Sequence, residues 1–171
     1  MLMIDTEQGE SLRCCGCGDT FPETAGPTHP YMASSPGCWA AYGVVLAREY
    51  QDRAYAPLHR LTVDVYAVQH PGVDGPQARN SVGIHLSRLF LIIERGWSIE
   101  KANDAMLMIT AKKKNYPWLE PPAQRGSITV KHLIAASTPV EHLARVDGWA
   151  RDVWQSWAEH HDTVRGWLNR E

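Results

Sequence analysis

Phenylalanine is scarce, with two in 171 residues, and long apolar runs are missing altogether. The longest uncharged apolar stretch is Leu89-Phe90-Leu91-Ile92-Ile93, far short of the roughly 18 residues that a membrane-spanning helix needs. Charge of one sign is not in excess either. Seventeen Lys and Arg against nineteen Asp and Glu leave a net charge of −2, so the basic footprint of a nucleic-acid binder is absent. Several catalytic signatures are also missing: Gly-x-Gly-x-x-Gly, the Walker loop, His-Glu-x-x-His, Gly-x-Ser-x-Gly, and the His-x-Glu with Pro-Cys-x-x-Cys pattern of deaminases. What remains is ordinary globular composition, 44% hydrophobic and 21% charged, which excludes a disordered, collagen-like or rod-like chain. A length of 171 residues predicts one domain, 1–171, with no nucleic-acid or membrane partner.

The notable residues are seven Trp, eight His and four Cys. Cys14, Cys15 and Cys17 crowd together and Cys38 follows. A secreted disulfide framework would spread its cysteines along the chain. Residues 1–7 show no basic segment and no long apolar core, so they do not read as a signal peptide. The expectation is a cytoplasmic protein with reduced thiols, where clustered cysteines point to metal chemistry.

Residues 1–37 hold Pro22, Pro27, Pro30 and Pro36 with five glycines, and predict an irregular head. The pattern from 38 to 171 is helical. Ser35-Pro36-Gly37-Cys38 reads as an N-cap with proline at the first helical position, opening a helix to about Tyr50. Further helices are predicted over 56–70, 76–95 and 99–113, with a loop at 115–127 and a short helix through 131–136. Thr138-Pro139-Val140-Glu141 is a capping-box start. A stripe from Leu143 through Val146, Trp154, Trp157 and Val164 carries that helix to about Leu168, with Gly148 the expected place for a break. Only Ile128–Val130 hints at a strand. The predicted fold is all-α: a bundle of five or six helices with the cysteine-containing head against one end.

Cys14-Cys15-Gly16-Cys17-Gly18 is a Cys-x-x-Cys-Gly knuckle. Two thiolates three apart on a glycine-permitted turn can share one metal. A structural zinc needs four ligands. Cys14, Cys17 and Cys38 supply three, and His29 is the nearest fourth. Cys15 and Asp19 are weaker choices, and His70 qualifies if the fold brings it there. Cys38, at N3 of a helix, also sits where the helix dipole favours a thiolate.

His59 and His70 are 11 residues apart, about 16 Å along a helix, so they cannot share one ion. His59, Asp64, His85 and His161 are candidates for a second polar pocket, with Asp64, His59 and His85 in catalytic roles and Asp64 or a neutral His as general base. Tyr31, Tyr66, His70 and His161 are candidate substrate-pocket residues. His132, His142 and His160 read as solvent-facing. Trp154 and Trp157 read as core or as a partner face, a homodimer through the Trp-rich last helix included. Lys112-Lys113-Lys114 reads as a solvated helix end.

Three stretches together form a recognisable set: the Cys-x-x-Cys-Gly head, Gly26-Pro27-Thr28-His29-Pro30-Tyr31-Met32-Ala33-Ser34-Ser35-Pro36-Gly37-Cys38-Trp39, and His59-Arg60-Leu61-Thr62-Val63-Asp64-Val65-Tyr66-Ala67-Val68-Gln69-His70-Pro71-Gly72. With the Trp-rich tail ending near His160-His161, the chain resembles a bacterial family of uncharacterised proteins, a domain of unknown function. The resemblance implies a grouping and no activity. Two functional expectations follow from the residues themselves. One is a zinc-binding, metal-dependent enzyme acting on a small molecule by hydrolysis or proton transfer. The other is a non-catalytic zinc-stabilised interaction or sensor module.

Overall fold

The computed structural model describes residues 10–111 and 115–168. Lys112-Lys113-Lys114 and residues 1–7 therefore lie outside the described residues. Seven α-helices are described: α1 (Pro36–Gln51), α2 (His59–Gln69), α3 (Pro76–Ile93), α4 (Ile99–Ala111), α5 (Val130–Ile134), α6 (Pro139–Ser156) and α7 (His161–Leu168). A small hairpin precedes them, β1 (Ser11–Arg13) antiparallel to β2 (Thr20–Pro22), with Leu12 opposite Phe21. The fold is the all-α bundle that the periodicity predicts.

The start signals work as their chemistry demands. Cys38 N donates to Ser35 Oγ at 3.2 Å, capping α1 behind Pro36. Lys101 N donates to Ser98 Oγ at 3.1 Å at the start of α4. At α6, Glu141 N donates to Thr138 Oγ1 at 3.2 Å. The reciprocal half of that capping box is displaced by one residue, because Glu141 Oε2 accepts from Ser137 N at 2.8 Å.

Helix α2 is the centre of the bundle. Leu61, Thr62, Asp64, Val65, Tyr66, Val68 and Gln69 are all buried, and α2 packs on both α3 and α6. A helix buried on nearly every face draws little stability from propensity and much from packing. Its aromatic ring Tyr66 stacks on Tyr42 of α1 at 3.7 Å and on His70 at 3.9 Å. Both stacks bury aromatic surface at the centre of the bundle.

Three details depart from the sequence reading. The head is not wholly irregular, since β1 and β2 flank the knuckle. Strands of three residues are too short to show alternation. Val130 opens α5 and is not part of a strand. The last helix breaks at Trp157 rather than Gly148. Trp157 leaves helical geometry (φ −92, ψ 19) and a 3-10 turn, Ala158–His160, redirects the chain into α7, which then packs on α3. Trp149, Trp154 and Trp157 are buried in this chain's own core.

Candidate metal centre

Cys14, Cys17, Cys38 and His70 form a buried cluster whose ligand atoms lie within 4.8 Å of one another. It could hold a metal ion. Three separate pieces of chain meet there: the hairpin turn, the first turn of α1 and the carboxyl end of α2.

The turn is closed by Cys14 N donating to Asp19 O at 2.8 Å and Gly18 N to Cys14 O at 3.0 Å. Gly18 takes the left-handed conformation, φ +76, that this closure requires. Gly16 sits so close to the His70 ring and to Ala33 O that a Cβ would collide with both. Residues at the end of α2 bring in the histidine. His70 is the C-cap of α2, where Pro71 and Gly72 stop the helix. Its Nδ1 donates to Tyr66 O at 2.8 Å, so its Nε2 carries the lone pair and faces Cys38 Sγ at 3.4 Å.

The sulfurs are equally well supported. Cys17 Sγ lies 3.9 Å from Cys38 Sγ. Cys14 Sγ accepts from Ser35 N at 3.4 Å, and the Tyr66 hydroxyl sits 3.5 Å from Cys38 Sγ. Cys38 is the N3 residue of α1, where the helix dipole adds to thiolate stability.

Without a cation the three thiols cannot all ionise. Hydrogen bonds from Cys17 and Cys38 hold Cys14 well below the usual thiol range. Donation to Cys14, with burial, pushes Cys17 up to about 12, and the same causes push Cys38 up. Three thiolates this close and this buried would repel one another, and a bound cation would relieve that repulsion.

His29, the first sequence choice for the fourth ligand, is not in the cluster. It belongs to a surface segment, where its ring packs on Tyr31 at 4.3 Å and on Trp39 at 5.5 Å. The side chain at the fourth position is His70, because α2 ends beside the knuckle. Cys15 is exposed and lies outside the cluster. Asp19 is held instead by Thr129 Oγ1 at 2.6 Å and Lys131 Nζ at 2.9 Å.

The second polar pocket does not assemble. Its residues fall into three separate hydrogen-bonded groups. His59 Nδ1 meets Glu49 Oε2 at 3.1 Å and its Nε2 meets the Tyr50 hydroxyl at 2.8 Å. His85 Nδ1 meets Asp64 Oδ1 at 2.7 Å, and Arg88 Nε meets the same oxygen at 2.7 Å. His161 stacks on Trp154 at 3.9 Å, and its Nε2 lies 2.9 Å from Trp154 O. Of the expected substrate-pocket residues, His70 is a member of the metal cluster and Tyr66 borders it, Tyr31 is exposed, and His161 belongs to the α6–α7 break.

His142 is placed differently from the sequence reading, and Glu49 and Gln69 have roles that it does not contain. His142 is fully buried rather than solvent-facing. Its Nε2 sits 2.9 Å from Oε1 of the buried Glu49, which also accepts from Thr62 Oγ1 at 2.5 Å. Gln69 is buried beside the knuckle and ties Trp149 to the 125–128 loop. A lone Glu and a lone Gln on apolar helices carry no spacing signal that would reveal these roles.

The chain belongs to the family of unknown function DUF5946, whose model matches residues 12–158. That stretch holds all four candidate ligands. No curated protein and no solved structure matches the chain.

Proposed function

We propose that this protein is a zinc-stabilised helical module in which Cys14, Cys17, Cys38 and His70 bind one structural zinc ion that fastens the head to α1 and α2. The carrying observation is the spacing of the donor atoms. For tetrahedral zinc with Zn–S of about 2.3 Å and Zn–N of about 2.05 Å, sulfurs lie about 3.8 Å apart and sulfur and nitrogen about 3.6 Å apart. The Cys17–Cys38 separation of 3.9 Å and the Cys38–His70 separation of 3.4 Å suit that tetrahedron. Three thiolates and one imidazole are a soft donor set that suits zinc over harder cations. A thiolate site of this kind belongs in a compartment that keeps cysteines reduced, and we place the protein in the cytoplasm.

The closed ligand set favours a structural role. A catalytic zinc keeps a position for water, and here four buried protein ligands complete the tetrahedron. One observation favours a second reading, a proton-transfer site on the α2–α3 seam. Asp64 Oδ2 is buried without a hydrogen-bond partner among the described residues, beside the His85 that its other oxygen engages.

The test of the structural reading is chelation followed by thermal melting. Stripping zinc should lower the melting temperature markedly, and returning zinc should restore it, because binding energy at such a site is folding energy. Zinc removal with no change in melting temperature would refute a structural role.

A further inference from the structure

A cavity of about 810 Å³ lies between the knuckle and the loop 123–127. Its polar lining includes Arg13, Arg125, Asp19, Ser127 and His132. The two walls are held in place by separate anchors. On one side Arg125 Nη1 donates to Gly16 O at 2.5 Å and to Cys15 O at 3.3 Å. On the other, Asp19 is bound by Thr129 and Lys131 of the α5 entry.

The loop that carries Arg125 is itself rigidly built. Buried Gln69 donates to Arg125 O and to Ile128 O, both at 2.8 Å. Asp152 Oδ2 accepts from Ser127 N at 2.6 Å and from Ile128 N at 2.8 Å. Gly126 permits this with φ +86, at a point where a Cβ would strike Asp152.

Two guanidinium groups in the lining keep donors that no protein group uses among the described residues. Arg125 commits Nη1 to the knuckle and its Nε is buried out of reach, while its Nη2 has no protein partner among the described residues. Arg13 commits Nε to Gly18 O at 2.9 Å, and its terminal nitrogens have no protein partner among the described residues. Asp19, the acidic group in the lining, is already matched by Lys131. A guanidinium offers donors in a planar fork that fits a carboxylate or a phosphate.

We propose that this cavity is a binding site for a small molecule bearing an oxoanion, carboxylate or phosphate, which Arg13 and Arg125 hold from the knuckle side and the loop side. With Nη1 fixed on the knuckle carbonyls, Nη2 is the Arg125 donor left for the anion.

The experiment is a titration of the zinc-loaded full chain with inorganic phosphate and, separately, with malonate, followed by amide NMR at fixed ionic strength. Zinc content is measured on every sample, so loss of the metal site is told apart from loss of the cavity. Saturable shifts at Gly16, Gly126 and Ser127 are expected with at least one anion, and the anion that binds identifies the group. Arg13→Gln and Arg125→Gln should each weaken binding about ten-fold or more, while Arg79→Gln, outside the cavity, should not. Arg125→Gln also loosens the knuckle, so Arg13→Gln, at an exposed residue, is the decisive variant. Absence of saturable shifts with both anions, or unchanged affinity in Arg13→Gln, would overturn the proposal and leave Arg125 as a clamp alone.

Discussion

Cys38 and His70 stand 32 positions apart in the chain, and their Sγ and Nε2 atoms meet at 3.4 Å. One opens α1 and the other closes α2. Their meeting makes the end of one helix and the start of another parts of a single site, to which the hairpin turn adds Cys14 and Cys17.

The identity of the fourth ligand is therefore open to direct test. His70→Ala should release the metal or weaken its retention by orders of magnitude, since it removes a ligand together with the Tyr66 O bond that orients its ring. His29→Ala should keep one metal per chain. Elemental analysis of the two purified variants decides between them.

Gly16→Ala should damage the site without removing any ligand. A Cβ there collides with the His70 ring and Ala33 O, so either the turn or the imidazole must move. Reduced metal content with a lowered melting temperature is expected. A variant that matches the parent in both would show that the turn has slack.

Gln69→Leu should destabilise the bundle by about 1–3 kcal/mol, the cost of leaving the buried Trp149 N–H unpaired, with a smaller addition from two part-buried carbonyls. Three partners lose their bond: the Trp149 indole N–H and the carbonyls of Arg125 and Ile128. Chemical denaturation measures the loss.

Acid should act on the α6 cap in a defined window. The Ser137 N–H, Arg145 and the Ser137 hydroxyl hold Glu141 at about 2, below its ordinary 4.5. A depressed carboxylate stabilises the fold above its unfolded value, and that stabilisation is lost as pH falls through the folded value. The cap should thus persist at neutral pH and weaken between about 4.5 and 2. Carboxyl NMR titration should find a midpoint near the lower value. An ordinary midpoint would mean that the cap does not form in solution.

Much of this arrangement is legible in the amino-acid pattern, and the illegible part has physical causes. Ser35-Pro36 and Thr138-Pro139 announce helices because capping is a local interaction. The Cys-x-x-Cys turn and Cys38 announce ligands because thiolates seldom cluster without cause. His70 was visible only as a second choice to His29, because chain spacing favours the nearer histidine while the packing of α2 against the head decides the matter. The break at Trp157 rather than Gly148 follows from the docking of α7 on α3, a tertiary effect that overrides glycine's low helix propensity. The buried pairing of Glu49 with His142 joins α1 to α6, and residues that far apart leave no trace in periodicity.

Zinc K-edge absorption spectroscopy on the purified full chain, with metal stoichiometry measured on the same sample, tests the central claim most directly. The account predicts one zinc per chain with three sulfurs at about 2.3 Å and one nitrogen at about 2.0 Å. A chain without bound metal, or a zinc shell made of oxygen and nitrogen alone, would contradict it.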